Sequence, residues 1–159
     1  MTKILFVCHG NICRSPAAEF ILRALLQRAG LGGEYELASA ATSSEEIGIP
    51  VYPPMRRVLA EHGLDCAGKT ARRLRRRDYE DWDMLIGMDG QNLTNMKILF
   101  GGDPEEKLSL LLDHTPESDT KHHGRDVSDP WYTRKFNIAW DDINTGCTAL
   151  FEKLTADNE

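Results

Sequence analysis

No stretch of the sequence approaches the roughly eighteen consecutive apolar residues that a membrane helix requires, so a spanning segment is not expected. The start of the chain also lacks a secretory signal's cationic segment, apolar run and small-residue cleavage site. Met1 to Val7 is too short for that role and reads as a strand. Cysteine is scarce: Cys8, Cys13, Cys66 and Cys147 show no spacing of a disulfide framework, and reduced thiols in a cytoplasmic protein are expected. There is no excess of basic charge either, with 19 Lys plus Arg against 25 Asp plus Glu and a net charge of -6. That balance argues against nucleic acid or an anionic membrane as partner, and at face value disfavours any anionic substrate. Repeats, low-complexity tracts and long linkers are absent. What remains is 159 residues, 41% of them hydrophobic, enough for one core and one domain spanning 1–159.

Ile4-Leu5-Phe6-Val7 is an unalternating apolar run, the pattern of a parallel strand covered on both faces. Ser15-Pro16 reads as a cap followed by proline at the first helical position, and Ala17, Phe20, Ile21, Ala24 and Leu25 recur at helical spacing up to Gly30. Further strands are expected over Tyr35 to Ala40, Met84 to Met88 and Leu108 to Leu111, with helices over Met55 to His62, Gln91 to Phe100 and Arg134 to Leu154. The alternation predicts a three-layer, doubly wound α/β fold with a four-stranded parallel sheet and helices on both faces. Ligands of such sheets sit beyond the carboxyl ends of the strands. The irregular, polar segment from Leu112 to Asp129 is expected to carry part of the site.

The turn after the first strand reads Cys8-His9-Gly10-Asn11-Ile12-Cys13-Arg14-Ser15. A Cys-x5-Arg-[Ser/Thr] match has a chance expectation of about 0.03 in a chain of this composition. Five intervening residues can wrap a turn whose backbone N–H groups converge on one point, and the following helix adds its positive end there. The expected occupant is an anion. Arg14 offers a bidentate fork to two phosphate oxygens, while a Cys8 thiolate at the base is stabilised by the same N–H groups and by Arg14. Gly10 and Asn11 suit left-handed backbone, and the Ser15 hydroxyl is placed to donate to the thiolate. One arginine, a helix end and backbone amides thus make a local positive pocket that net charge does not record.

This segment resembles the active-site loop of the low-molecular-weight protein tyrosine phosphatases. Ser39-Ala40-Ala41-Thr42-Ser43 is similar to that family's second loop, Met88-Asp89 with Asn92-Leu93 to its third-strand motif, and Asp129-Pro130-Trp131-Tyr132 to its acid loop. The resemblance implies a flavodoxin-like sheet and hydrolysis of phosphotyrosine and aryl phosphates through a phosphocysteine. Cys8 is then nucleophile, Arg14 the phosphate-binding cation and Asp129 the general acid and base. His9, Gly10, Asn11, Ile12, Cys13, Ser15, Trp131 and Tyr132 are the expected substrate-binding residues. No cofactor and no metal are implied, inorganic phosphate is the product, and a monomer or weak homodimer is expected.

Phosphate-ester cleavage needs a proton for the leaving oxygen. A carboxyl at a loop edge beside apolar rings is partly desolvated, which favours the neutral acid, and Asp129 fits that description whereas Asp126 lacks the following Pro-Trp-Tyr. Cys13, in the same turn as Cys8, has two open readings: partner in the reversible disulfide that the resemblance suggests, or a small buried hydrophobe. Cys66 and Cys147 are read as structural.

Trp131 and Tyr132 are expected to wall a cleft suited to a flat phenyl ring, with Ile12 as a further apolar contact. The protein-arginine phosphatases resemble the same fold but carry Thr at the position of Ile12 and a small residue at that of Tyr132. They are the competing enzyme class, and a phosphate-loop module without turnover is the non-enzymatic alternative. Arsenate reductases on this scaffold need two further mid-chain cysteines, and Cys66 stands alone. Three positions depart from the family pattern. Glu45 replaces an aromatic on the opposite wall, opening that side or making it acidic and favouring basic peptides. His9 replaces an apolar residue and reads as a solvated rim histidine, and Lys69 takes the place of a histidine that braces Asn11. Arg72 to Arg77, with five arginines in six residues, reads as a solvated helical face or a dock for an acidic partner.

Overall fold

In the computed structural model, which describes residues 1–156, the four strands are β1 (Thr2–Cys8), β2 (Tyr35–Ala41), β3 (Met84–Gly87) and β4 (Leu108–Leu110). They form one all-parallel sheet in the order β2-β1-β3-β4. The helices are α1 (Arg14–Arg28), α2 (Pro53–Glu61), a single turn α3 (Asp78–Asp81), α4 (Gly90–Phe100), a single turn α5 (Pro130–Thr133) and α6 (Phe136–Thr155).

The unalternating sequence of β1 serves both faces. Ile4, Phe6 and Cys8 join the cluster with Leu22 and Leu26 of α1 and Ile143 and Cys147 of α6. Leu5 and Val7 join Leu74, Trp82, Leu85 and Met96 on the other side. Successive side chains of a strand point to opposite faces, so the sheet is the middle of three layers. The connection after β2 carries the chain past β1 to β3, so the strand order reverses between β1 and β3. That reversal opens a crevice at the carboxyl ends of the two strands.

Three local expectations need correction. Ser15 does not cap α1: the helix begins at Arg14 with Cys13 at the cap position and no side-chain cap bond. The Ser15 hydroxyl lies instead 3.0 Å from the Cys8 sulfur. Pro16 still falls in the first turn, where a missing N–H costs no intrahelical bond. The C-terminal helix does not start at Arg134, because that residue is left-handed (φ 62) and separates α5 from α6. Its guanidinium donates to the Tyr52 hydroxyl at 2.9 Å and lies over the Tyr52 and Phe136 rings, which stabilises the break. The arginine run is not a helical face. Residues 71–75 run without helix beside the end of β2, with Ala41 N–H donating to Arg72 and Leu74 N–H to Ala41. Buried Asp78 draws Arg72 inward through two bonds of 3.1 and 3.0 Å and also accepts the Arg75 N–H.

Candidate active site

The crevice between β1 and β3 holds a cleft of about 290 Å³. Cys8, His9, Gly10, Ile12, Cys13, Arg14, Asp129, Trp131 and Tyr132 all line it, together with Glu45, Glu46, Asp89, Gln91 and Asn92. Nine of the eleven residues expected from sequence therefore face one cavity. The remaining two, Asn11 and Ser15, are buried behind it and act on the loop itself.

The loop from Cys8 to Arg14 is wrapped around the Cys8 sulfur. The Asn11 N–H donates to Cys8 Sγ at 3.3 Å, and Ser15 Oγ lies 3.0 Å from it on the other side. Asn11 adopts φ 58, a left-handed conformation that Asn tolerates better than most residues. Its amide nitrogen donates to Ser15 Oγ at 2.8 Å, and its amide oxygen accepts the Arg72 N–H at 3.1 Å. Because Ser15 Oγ already accepts from Asn11, its own proton is free for the sulfur. The bracing of Asn11 therefore comes from Arg72 and Ser15, not from Lys69. Lys69 donates to the Ser39 carbonyl at 3.0 Å and sits 3.7 Å from buried Glu19, one layer removed from the loop.

Arg14 is 3% exposed and is gripped by three residues from two segments. Its guanidinium pairs with Asp89 at 2.9 Å and Asp129 at 3.3 Å, and donates to the Val127 carbonyl at 3.3 Å. Burial works against its charge, yet Cys8, Asp129 and Asp89 outweigh that effect and raise its pKa above the ordinary value. Asp89 has two tasks. One oxygen accepts the Asn92 N–H and caps α4, while the other faces Arg14. Asn92 closes the reciprocal box by accepting the Met88 and Asp89 N–H groups.

Asp129 caps α5 by accepting the Trp131 N–H at 3.0 Å and turns its other oxygen to Arg14. The expected setting among apolar rings is thus corrected: a peptide donor and a guanidinium face this carboxyl, and it is partly solvent-accessible. Asp126 is used differently, accepting the Gly90 N–H at 3.0 Å. The Trp131 ring packs against Tyr52 with centroids 5.2 Å apart, and the Tyr52 N–H donates to the Ile12 carbonyl at 2.7 Å. One residue therefore props the aromatic wall and the loop together. Across the mouth, exposed His9 lies 3.1 Å from Glu45, so the rim histidine has a carboxylate partner.

All four cysteines are free thiols. Burial raises the Cys13 pKa well above the ordinary thiol value, with repulsion from Cys8 adding to it. Burial does the same for Cys147 in the core. Among the described residues no three His, Cys, Asp or Glu side chains converge to hold a metal ion, and no helix is long and apolar enough to cross a membrane.

Asp89, Tyr52, Glu46 and Gln91 were not singled out as site residues by the sequence. Only Asp89 carries a local signal, the Asp-x-x-Asn box at the start of a helix that follows a parallel strand.

The family model for low molecular weight phosphotyrosine protein phosphatase matches residues 3–159. The low molecular weight protein-tyrosine-phosphatase YfkJ of Bacillus subtilis is 35% identical over 100% of this chain and 99% of its own. The YfkJ crystal structure superposes with a TM-score of 0.93, covering 100% of this chain and 98% of the other. Low molecular weight phosphotyrosine protein phosphatase 1 of Drosophila melanogaster is 30% identical over 95% of this chain and 96% of its own. The arginine phosphatase YwlE is a more distant neighbour, 25% identical with a TM-score of 0.83 over 98% of this chain and 97% of its own. With the Cys8 to Ser15 turn, the Asp129 loop and the sheet all in one frame, the chain belongs to the low molecular weight phosphotyrosine protein phosphatase family.

Proposed function

We propose that this phosphatase hydrolyses phosphotyrosine in proteins or peptides, and aryl phosphates, through a phosphocysteine on Cys8. The observation that carries the reading is the convergence of Cys8, Arg14 and Asp129 on one cleft, with Arg14 3.3 Å from Asp129. The Cys8 thiolate attacks phosphorus while Arg14, the loop amides and the first turn of α1 hold the equatorial oxygens. As the P–O bond breaks, Asp129 gives its proton to the phenolate, and phosphate remains on sulfur. Asp129, now a carboxylate, takes a proton from water; the hydroxide attacks phosphorus, the S–P bond breaks, and inorganic phosphate and the Cys8 thiolate are restored. Positioning and charge stabilisation carry most of the catalysis in such transfers.

Tyrosine is favoured over arginine as the phosphate carrier by two side chains. Buried Ile12 and exposed Tyr132, both in the cleft lining, offer apolar contact to a phenyl ring. A guanidinium leaving group would instead meet no buried polar partner from either residue. Turnover of matched phosphotyrosine and phosphoarginine peptides tests this, and faster release from phosphoarginine would overturn the assignment. With p-nitrophenyl phosphate, Cys8→Ser is expected to lose all measurable turnover, and a variant as active as the parent would refute the covalent route. Asp129→Ala is expected to lose about 100-fold or more on phenyl phosphate and much less on p-nitrophenyl phosphate, whose leaving group needs no proton.

A further inference from the structure

The loop that delivers Asp129 is tied to α6 by one buried carboxylate that none of the catalytic roles uses. Asp142, 2% exposed, accepts from both terminal guanidinium nitrogens of Arg125 at 3.0 and 2.8 Å and from the Ser128 N–H at 3.1 Å. These two partners flank Asp126 and Val127, whose own contacts point at the site. The Val127 N–H donates to Met88 at 2.8 Å, its carbonyl accepts from Arg14, and Asp126 holds Gly90. Buried His122 packs against the same carboxylate. Its Nδ1 lies 2.8 Å from Asp119, and its Nε2, without a hydrogen-bond partner, lies 3.8 Å from Asp142.

We infer that Asp142 is a positioning residue for the general acid, fixing residues 125–128 so that Asp129 and the Val127 carbonyl meet Arg14 in register. The inference rests on Asp129 as the acid. Its physical basis is that a planar bidentate pair fixes orientation as well as distance, and that a buried carboxylate cannot release its partners to water cheaply. Arg125 alone would tether the loop at one point. Ser128 N–H supplies a second, three residues on, and two points on one carboxylate determine the direction in which the chain enters Asp129. Misplacement by about 1 Å is enough to cost such a group much of its rate.

The test is leaving-group dependence in Asp142→Asn and Arg125→Gln, with Arg125→Lys as the conservative variant. The expected result is a kcat loss of about tenfold on phenyl phosphate and about twofold on p-nitrophenyl phosphate, as for a displaced acid. Competitive inhibition by inorganic phosphate should stay within about twofold, because the phosphate-binding turn is not displaced. Arg125→Lys, which keeps the charge but not the fork, should recover part of the loss. In the Asp129→Ala background, Asp142→Asn should add no further leaving-group dependence. Equal losses on both substrates, or no loss in either variant, would overturn the inference. Arg125 is partly exposed, so Arg125→Gln decides the question if Asp142→Asn fails to fold. If Asp129→Ala itself shows no leaving-group dependence, the acid assignment falls and the positioning role falls with it. Dependence in Asp129→Ala with none in the Asp142 and Arg125 variants removes the positioning role alone.

Discussion

The Ser15 hydroxyl lies where its neighbours force it to choose a partner. Asn11 donates to it, so its proton is directed to the Cys8 sulfur at 3.0 Å, and the helix end goes without a side-chain cap. A hydrogen bond to a charged sulfur is worth about 1.5–3 kcal/mol, so Ser15→Ala should lower kcat about tenfold or more. Rapid-quench measurement of phosphoenzyme formation and breakdown checks this. Unchanged rates for both steps would show that the hydroxyl contributes nothing to the sulfur's reactivity. The gathering of Cys8, Arg14 and Ser15 around one turn was legible because it depends on spacing alone. Bracing was not legible. The Arg72 N–H that holds Asn11 is a backbone group, and nothing in its side chain advertises it. Lys69, a departure from the histidine expected to brace Asn11, turns to Glu19 and Ser39, since a long cation beside a buried carboxylate satisfies that carboxylate first.

At the scale of elements, the seat of α6 decides where Asp142 points. Gly146, one turn further along that helix, lies against Leu111. A Cβ on Gly146 would meet Leu111 Cγ at 2.6 Å and Cδ2 at 3.0 Å, and Leu111 is fully buried. Gly146→Ala gains about 1 kcal/mol of helix propensity but must push a packed leucine, and the overpacking cost of about 1–3 kcal/mol wins. A lowered urea midpoint is expected, with partial recovery when Leu111→Ala is added; a raised midpoint would show that Leu111 yields freely. The elements themselves were readable from apolar periodicity. What escaped was the break at Arg134, because a left-handed residue within a helical pattern is fixed by contacts to Tyr52, which lies in another part of the chain, as well as to neighbouring Phe136. The arginine run misled for a related reason: its spacing resembles an exposed helix, but buried Asp78 folds it back on itself.

Across the whole molecule, stability should depend on pH through His114, which joins the end of β4 to α6. Lys153 has only donors to offer, so its contact at 3.1 Å makes Nδ1 the acceptor and leaves the Nε2 proton for Ser109 at 2.8 Å. Burial, and then the Lys153 charge, push the histidine down from 6.5 to about 4. As pH falls the unfolded chain takes up this proton first, so the contribution is complete above 6.5 and is lost progressively towards about 4. Between about pH 7 and pH 5 the loss should be about 1 kcal/mol after allowance for solvent screening. His114→Gln, which can keep both hydrogen bonds, should show a smaller decrease in urea stability over that interval; an identical decrease would remove His114 as its source.

The threefold grip on Arg14 also bears on how the protein comes into being. Its partners Asp89, Val127 and Asp129 lie far along the chain, and α6 packs against α1. Synthesis runs from the N-terminus, so Cys8 and Arg14 leave the ribosome long before the residues that hold that arginine still. A partly made chain therefore carries Cys8 and Arg14 without the partners that fix the guanidinium. The surroundings of Arg14 are complete only once the chain has been made as far as Asp129.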